Sequence, residues 1–296
     1  MQVDKRKLVQ SASPIEGLAL VAEGGGQRGA FTAGVLDSFQ VARFNPFQIL
    51  IGTSAGAQNI ASYMSQQTGY AYSLISNLTM TKPFFNPWRV FTGHNVMDLD
   101  WYFAQAKKPS YQFDINQANL NSSNRIVRFS TSDPKQMATK LIDPNQEGWL
   151  KALKYSSAIP YFYKSNRLVD GGVTAPVPVN EAYQLGAKKI ITIRTTLDTK
   201  NLVPTPIKKM KPLICKGGHC PNFINLLDKH EETYLNAERF IHSPPSKVTV
   251  FEIKPHQTLA SKVLGSSKQD IISDYKHGFE LGLEFMSKEA EQLQLH

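Results

Sequence analysis

The sequence predicts an α/β domain in which helices flank a largely parallel sheet. Two observations carry this. Short apolar, β-branched runs recur along the chain with helix-period segments between them, and the first 65 residues alone compose a complete strand–helix–strand–helix unit. In order, residues 18–23 read as a buried strand, residues 29–42 as a helix entered through glycines, residues 47–52 as a second strand and residues 55–65 as a second helix. Further strands are expected at 125–130, 189–195 and 247–253, with helices at 149–157, 179–185 and 223–241. At the C-terminal end Ile271, Tyr275, Phe279, Gly282, Leu283 and Met286 repeat at helical spacing, which predicts a last helix docked on the sheet.

Composition sets the outer bounds. A chain of 296 residues is long enough for one large core. With 41% hydrophobic and 19% charged residues it fits neither a disordered chain nor an integral membrane protein. No run approaches the roughly 18 apolar residues of a membrane span, and the first ten residues lack the apolar stretch of a secretory signal, so a cytoplasmic location is the default expectation. The net charge of +9 favours anionic surfaces, phospholipid headgroups or nucleic acid, without choosing between them. The charge is diffuse apart from a Lys/Pro-rich stretch at about 197–222, expected to be a long surface loop. Residues 70–113 hold eleven of the thirty aromatics, more than twice an even share, which predicts either a small aromatic-cored subdomain or a cover over an apolar pocket.

The chemistry-bearing residues follow the first two strands. GTSAG at 52–56 has the nucleophile-elbow pattern in its required setting, a strand running into a helix, where flanking glycines make room for a sharp turn and the helix N-terminus favours developing negative charge. Ser54 is the candidate nucleophile. Gly24, Gly26 and Gly29 also satisfy the dinucleotide fingerprint, but the acid that should follow about 20 residues later is missing from RFNPFQILI. An oxyanion site built from Gly24, Gly25, Gly26 and Arg28 is the better reading of this loop. Asp170, after Leu168 and Val169 and before two glycines, is a candidate base, although a DG pair alone also suits a turn.

Together these elements resemble the patatin-like phospholipases, whose GGGx[KR]G, GxSxG and DG[GA] motifs stand here in order as GGGQRG at 24–29, GTSAG at 52–56 and DGG at 170–172. SSAIP at 156–160 adds to the likeness, which spans roughly residues 15–285 as a single domain. The resemblance implies a three-layer fold, a Ser54–Asp170 dyad without cofactor or metal, and a fatty-acyl ester substrate, phospholipid or lysophospholipid. The partners expected with it are that lipid and a peripheral contact with an anionic membrane at the inner surface, and no nucleic acid. Trp88 and Phe91, in the aromatic stretch, are the candidate contacts for an apolar chain. Two alternatives compete for the serine and the loop: a nucleotide-binding protein using residues 24–29, and a non-catalytic lipid binder on the same fold. His256 occupies the chain position of a triad histidine, whereas His94, His230, His242 and His277 show no acid–base context. Cys215, His219 and Cys220 lack a fourth ligand at zinc-site spacing and read as ordinary thiols and imidazole.

Overall fold

The computed structural model describes residues 13–197 and 222–289. The Lys/Pro-rich stretch, with Cys215, His219 and Cys220, lies outside them apart from its two end residues. In chain order the strands are β1 (Ile15–Ala22), β2 (Phe47–Thr53), β3 (Ile126–Asp133), β4 (Ala138–Ile142), β5 (Val169–Asp170), β6 (Lys189–Ile193) and β7 (Thr249–Ile253). The helices are α1 (Gly29–Val41), α2 (Ala55–Met64), α3 (Tyr70–Asn77), α4 (Leu99–Gln105), α5 (Ile115–Ser122), α6 (Pro144–Glu147), α7 (Trp149–Ser156), α8 (Val179–Gln184), α9 (Asn222–His242) and α10 (Lys268–Glu289).

The strands form one sheet in the order β4-β3-β2-β1-β6-β7. β3, β2, β1, β6 and β7 are mutually parallel, while β4 and β5 run antiparallel to β3. The sequence contains no apolar run at β4 because that strand is an edge whose residues are mostly half-exposed. Alternation along β1 divides the interior in two. Leu18, Leu20 and Ala22 face a core shared with Phe31, Val35 and Phe39 of α1 and Ala57 and Ile60 of α2. Ala19 and Val21 face the other side, against Val179 and Ala182 of α8 and Tyr234, Ala237 and Phe240 of α9. Each large apolar side chain so buried stabilises the fold by roughly 1.5–3 kcal/mol, and the result is helix, sheet and helix in three layers. No helix among the described residues is long and apolar enough to cross a membrane.

The last helix reaches the sheet at β7, but its main partner is α1, along which α10 lies at backbone contact: a Cβ added at Gly34 would fall 2.0 Å from Tyr275 O, and one at Gly278 2.0 Å from Phe31 O. The glycines of the two helices thus form the seam, with Leu281, Phe285 and Met286 completing the core beside it. Within residues 70–113, Phe84, Tyr102, Phe103 and Phe113 are buried in the same core as the sheet, whereas Trp88 and Phe91 stand 75% and 79% exposed on the turn Pro87–Thr92.

The strand ends decide where the site falls. β2 pairs with β3 only as far as Thr53 opposite Ser130. β4 holds one edge of β3 at Thr131 and Ser132, so β5, which pairs with the same two residues, must take the opposite edge, the one β2 has just vacated. Asp170 opposite Thr131 is therefore the next position along that edge after Thr53. Ser54 and Asp170 meet where two strands end head to head.

Candidate active site

Ser54 adopts φ 52° and ψ −117°, a backbone conformation that costs a non-glycine residue on the order of 1–3 kcal/mol. The surroundings impose it. A Cβ at Gly52 would come within 2.6 Å of Ala57 N, and one at Gly56 within 2.3 Å of Ala22 O, so the turn can be this tight only with glycine on both sides. The Ser54 N–H donates to Ser156 Oγ at 2.9 Å, and Ser156 Oγ donates onward to Ser130 O at 2.7 Å. Those bonds explain the small residues of SSAIP: the end of α7 pins the elbow from outside.

The serine hydroxyl points at the carboxylate. Ser54 Oγ donates to Asp170 Oδ2 at 2.7 Å with no imidazole between them. Asp170 Oδ1 accepts the Gly172 N–H at 2.7 Å, and Asp170 N donates to Ala158 O at 2.9 Å. Burial raises the carboxyl from the ordinary 3.8 to about 6, against the lowering effect of the bonds from Ser54 and Gly172. A carboxylate tuned upward in this way is a stronger base yet still ionised at neutral pH. His256 is elsewhere, its ring 5.8 Å from that of His277 on α10.

The glycine loop comes off the end of β1 beside the serine. Gly24 N–H is committed to Pro176 O at 3.1 Å. Among the described residues no acceptor meets the N–H of Gly25 or Gly26, so two of the four residues expected to form an oxyanion site present unpaired backbone donors. Gly26, at φ +58°, has Val263 O where a Cβ would be, which excludes any other residue there. The Arg28 side chain lines the same cavity, and its buried Nε finds no acceptor among the described residues.

Sequence inspection missed the support beneath this loop. Glu23, 1% exposed, accepts from Thr195 N at 2.6 Å, Arg194 Nε at 3.1 Å and Tyr234 Oη at 2.7 Å. Arg194, 2% exposed, also bonds Glu252 at 2.8 Å and Glu238, tying β1, β6, β7 and α9 together directly under the glycines. A charged residue ending a wholly apolar strand, as in LALVAEGGG and KIITIRTT, is the available signal. The dinucleotide reading requires an acid at the end of β2, and the residue there is Thr53, whose Oγ1 donates to Ala175 O at 2.7 Å.

Ser54 stands between two hollows. A cavity of about 360 Å³ is lined by the glycine loop, Arg28, Asp170 and apolar side chains including Tyr161, Phe162 and Leu227. A narrower pocket of about 50 Å³, lined by Ile75, Phe84, Met97, Leu99 and Tyr102, opens on the other side of the serine. Trp88 and Phe91 line neither, so the aromatic segment reaches the pocket with its buried residues and turns these two outward. Among the described residues no group of three or more His, Cys, Asp or Glu side chains could hold a metal ion.

A strained serine on a strand-to-helix turn, beside a buried carboxylate and glycine donors in an apolar cavity, suits acyl transfer. Residues 20–183 match the patatin-like phospholipase family, and the chain belongs to that family of lipid acyl hydrolases. Residues 220–294 match a separate family described as a domain of unknown function. Among individual proteins, the chain is 39% identical over 277 residues to the Escherichia coli (strain K12) protein YjjU, described as uncharacterised, covering 91% of this chain and 77% of that one. Two solved structures are similar at low identity. VipD from Legionella pneumophila has a TM-score of 0.42 at 10% identity, covering 92% of this chain and 67% of its own. Human GIVD cytosolic phospholipase A2, solved with methyl gamma-linolenyl fluorophosphonate, has a TM-score of 0.42 at 12% identity, and this chain spans 59% of its length.

Proposed function

We propose that this protein hydrolyses fatty-acyl esters, phospholipids or lysophospholipids, through an acyl-enzyme formed on Ser54. The observation that carries the reading is the 2.7 Å bond from Ser54 Oγ to Asp170 Oδ2. Asp170 takes the Ser54 proton as Oγ attacks the ester carbonyl, and the tetrahedral oxyanion meets the N–H groups of Gly25 and Gly26, with Arg28 adding positive charge. Collapse breaks the ester C–O bond, and the leaving alkoxide recovers the proton from Asp170. Water then attacks the acyl-enzyme, giving its proton to Asp170, and the fatty acid leaves with Ser54 restored. The larger cavity, at about 360 Å³, falls within the range of small-molecule sites and is lined chiefly by apolar side chains.

The protein's lipid contact belongs to the same reading. Trp88, Val90 and Phe91 stand out from a stretch that has no acidic residue between Asp37 and Asp98 and carries Lys82 and Arg89 beside the tip. Apolar side chains exposed on a segment free of acidic residues suit a peripheral contact with an anionic membrane surface.

The test combines a fluorophosphonate probe with hydrolysis of a panel of lipids in vesicles. Wild type should label and release fatty acid, and Ser54→Ala should do neither while keeping a cooperative thermal melt. Labelling that persists in Ser54→Ala would place the nucleophile elsewhere, and a wild-type protein inert to probe and panel alike would leave a non-catalytic lipid binder.

A further inference from the structure

The family match that includes Ser54 and Asp170 ends at residue 183, yet one wall of their cavity comes from beyond it. Phe223, Leu226, Leu227, His230 and Tyr234 of α9 and Val263 before α10 all line the cavity, and all lie in the region matched to a domain of unknown function. One of these side chains touches the turn that holds the candidate base. His230 Nδ1 lies 2.5 Å from Gly172 O. A carbonyl oxygen only accepts, so Nδ1 carries the proton and Nε2 is the ring's remaining acceptor. One helical turn further along α9, Thr233 Oγ1 sits 3.2 Å from Val173 O, sharing its proton with Lys229 O at 2.8 Å. Gly172 in turn gives its own N–H to Asp170 Oδ1 at 2.7 Å.

We propose that His230 is a positioning residue for the ester hydrolysis: it anchors the turn Gly171–Val173 so that the Gly172 N–H stays on Asp170, which makes the C-terminal region part of the catalytic apparatus. The inference rests on the reading of Asp170 as the base. Burial lowers the His230 pKa, and nearby Arg28 works in the same direction against the Gly172 bond, Glu23 and Glu231, so the ring is neutral at neutral pH. The Nδ1–H donates to Gly172 O in either protonation state of the ring, so the anchoring bond persists across the acid limb. Asp170 faces no charged group of comparable effect; the bonds from Ser54 and Gly172 are what oppose its burial. Releasing the turn weakens the Gly172 bond, which raises the Asp170 pKa further and lets its Oδ2 drift from Ser54. Turnover then falls and the acid limb of activity moves to higher pH. His230 is itself part of the cavity wall, so KM holds where the substitution keeps the ring volume.

Two variants of the full chain test this, with turnover of a water-soluble short-chain ester followed across roughly pH 5 to 9 and thermal melts as the fold control. His230→Phe keeps the ring volume and removes the donor; His230→Asn places an amide N–H where Nδ1–H stood. The phenylalanine variant should lose roughly tenfold or more in kcat with KM within about twofold, and its acid limb should move up. The asparagine variant should regain most of that loss. Wild-type kcat and an unmoved limb in His230→Phe would overturn the proposal, as would an asparagine variant no better than phenylalanine. If His230→Phe does not fold, His230→Leu removes the same donor with a smaller side chain, and an unmoved limb there overturns the proposal equally. A wild-type protein that neither turns over ester nor labels with the probe refutes the proposed function itself, and this inference with it; an active wild type with an unaffected His230→Phe refutes only the inference.

Discussion

Glycines let backbones touch both at the Ser54 elbow and along the α1–α10 seam, with different consequences. At the seam, Gly34 and Gly278 each leave no room for a methyl group against the opposite helix, and both helices stay regular, so close approach becomes dense packing around Phe31, Val35 and Phe39. At the elbow, Gly52 and Gly56 admit equally close neighbours, but the chain between them holds a serine at positive φ, and the adjoining loop leaves the Gly25 and Gly26 donors without acceptors among the described residues. The seam gains stability from its glycines. The elbow gives stability up in exchange for strain, a buried carboxylate and donors that line the cavity, the relation expected of a candidate active site and the fold that supports it.

The largest expected effect comes from removing the charge at the costly end of this comparison. Asp170→Asn should lower turnover on the order of 10³-fold or more, because an amide cannot take the serine proton. The same substitution should stabilise. The Asp170 carboxyl is raised from 3.8 to about 6 in the folded protein, so the stability it contributes is present below pH 3.8 and lost as pH climbs through 6. The asparagine variant, which does not titrate, should therefore melt above wild type at pH 7 by roughly 1–3 kcal/mol, with the gap closing near pH 4. Wild-type turnover should fall as pH drops through about 6. An asparagine variant that is less stable at pH 7 would show that the carboxylate supports the fold.

Methyl groups added at the two glycine sites should dissociate the properties. Gly278→Ala drives a Cβ into Phe31 O and should cost roughly 3 kcal/mol in the melt while the folded fraction keeps its turnover. Gly25→Ala should do the reverse. Gly25 lies outside the left-handed region at φ 173°, and its new Cβ comes closest to Thr195 Oγ1 at 2.7 Å, a hydroxyl that must give up its bond to Gly24 O to turn away. Turnover should nevertheless fall on the order of 10²-fold as the oxyanion donors shift. Unchanged kinetics in folded Gly25→Ala would remove the loop from the reaction.

The smallest effect concerns a region that neither packs nor lines the site. Trp88→Ala with Phe91→Ala should move the melt by less than about 0.5 kcal/mol, because both side chains are already in solvent. Hydrolysis of monomeric esters should be unchanged at any chain length, while hydrolysis of anionic vesicles drops several-fold. A loss confined to long monomeric esters would return these residues to the acyl chain.

Much of this was legible in the chain itself, and the reason is local. The strand-to-helix turn at 52–56, the glycine loop at 24–29 and the apolar strands are each determined by sterics and burial acting over a few residues, so their residue types record them. The motifs could name Ser54 and Asp170 but not bring them together across 116 positions. That was decided by β2 stopping at Thr53 and β5 taking the edge of β3 it left open. His230 seemed an ordinary histidine because its partner is a backbone carbonyl 58 residues away, and Glu23 seemed unremarkable because Arg194 is 171 residues on. Trp88 and Phe91 show the same limit from the other side, since an aromatic residue has one composition whether it faces a pocket or solvent. Strand ends, buried partners and the direction of a side chain depend on contacts between distant segments, which exist only once the sheet has closed around them.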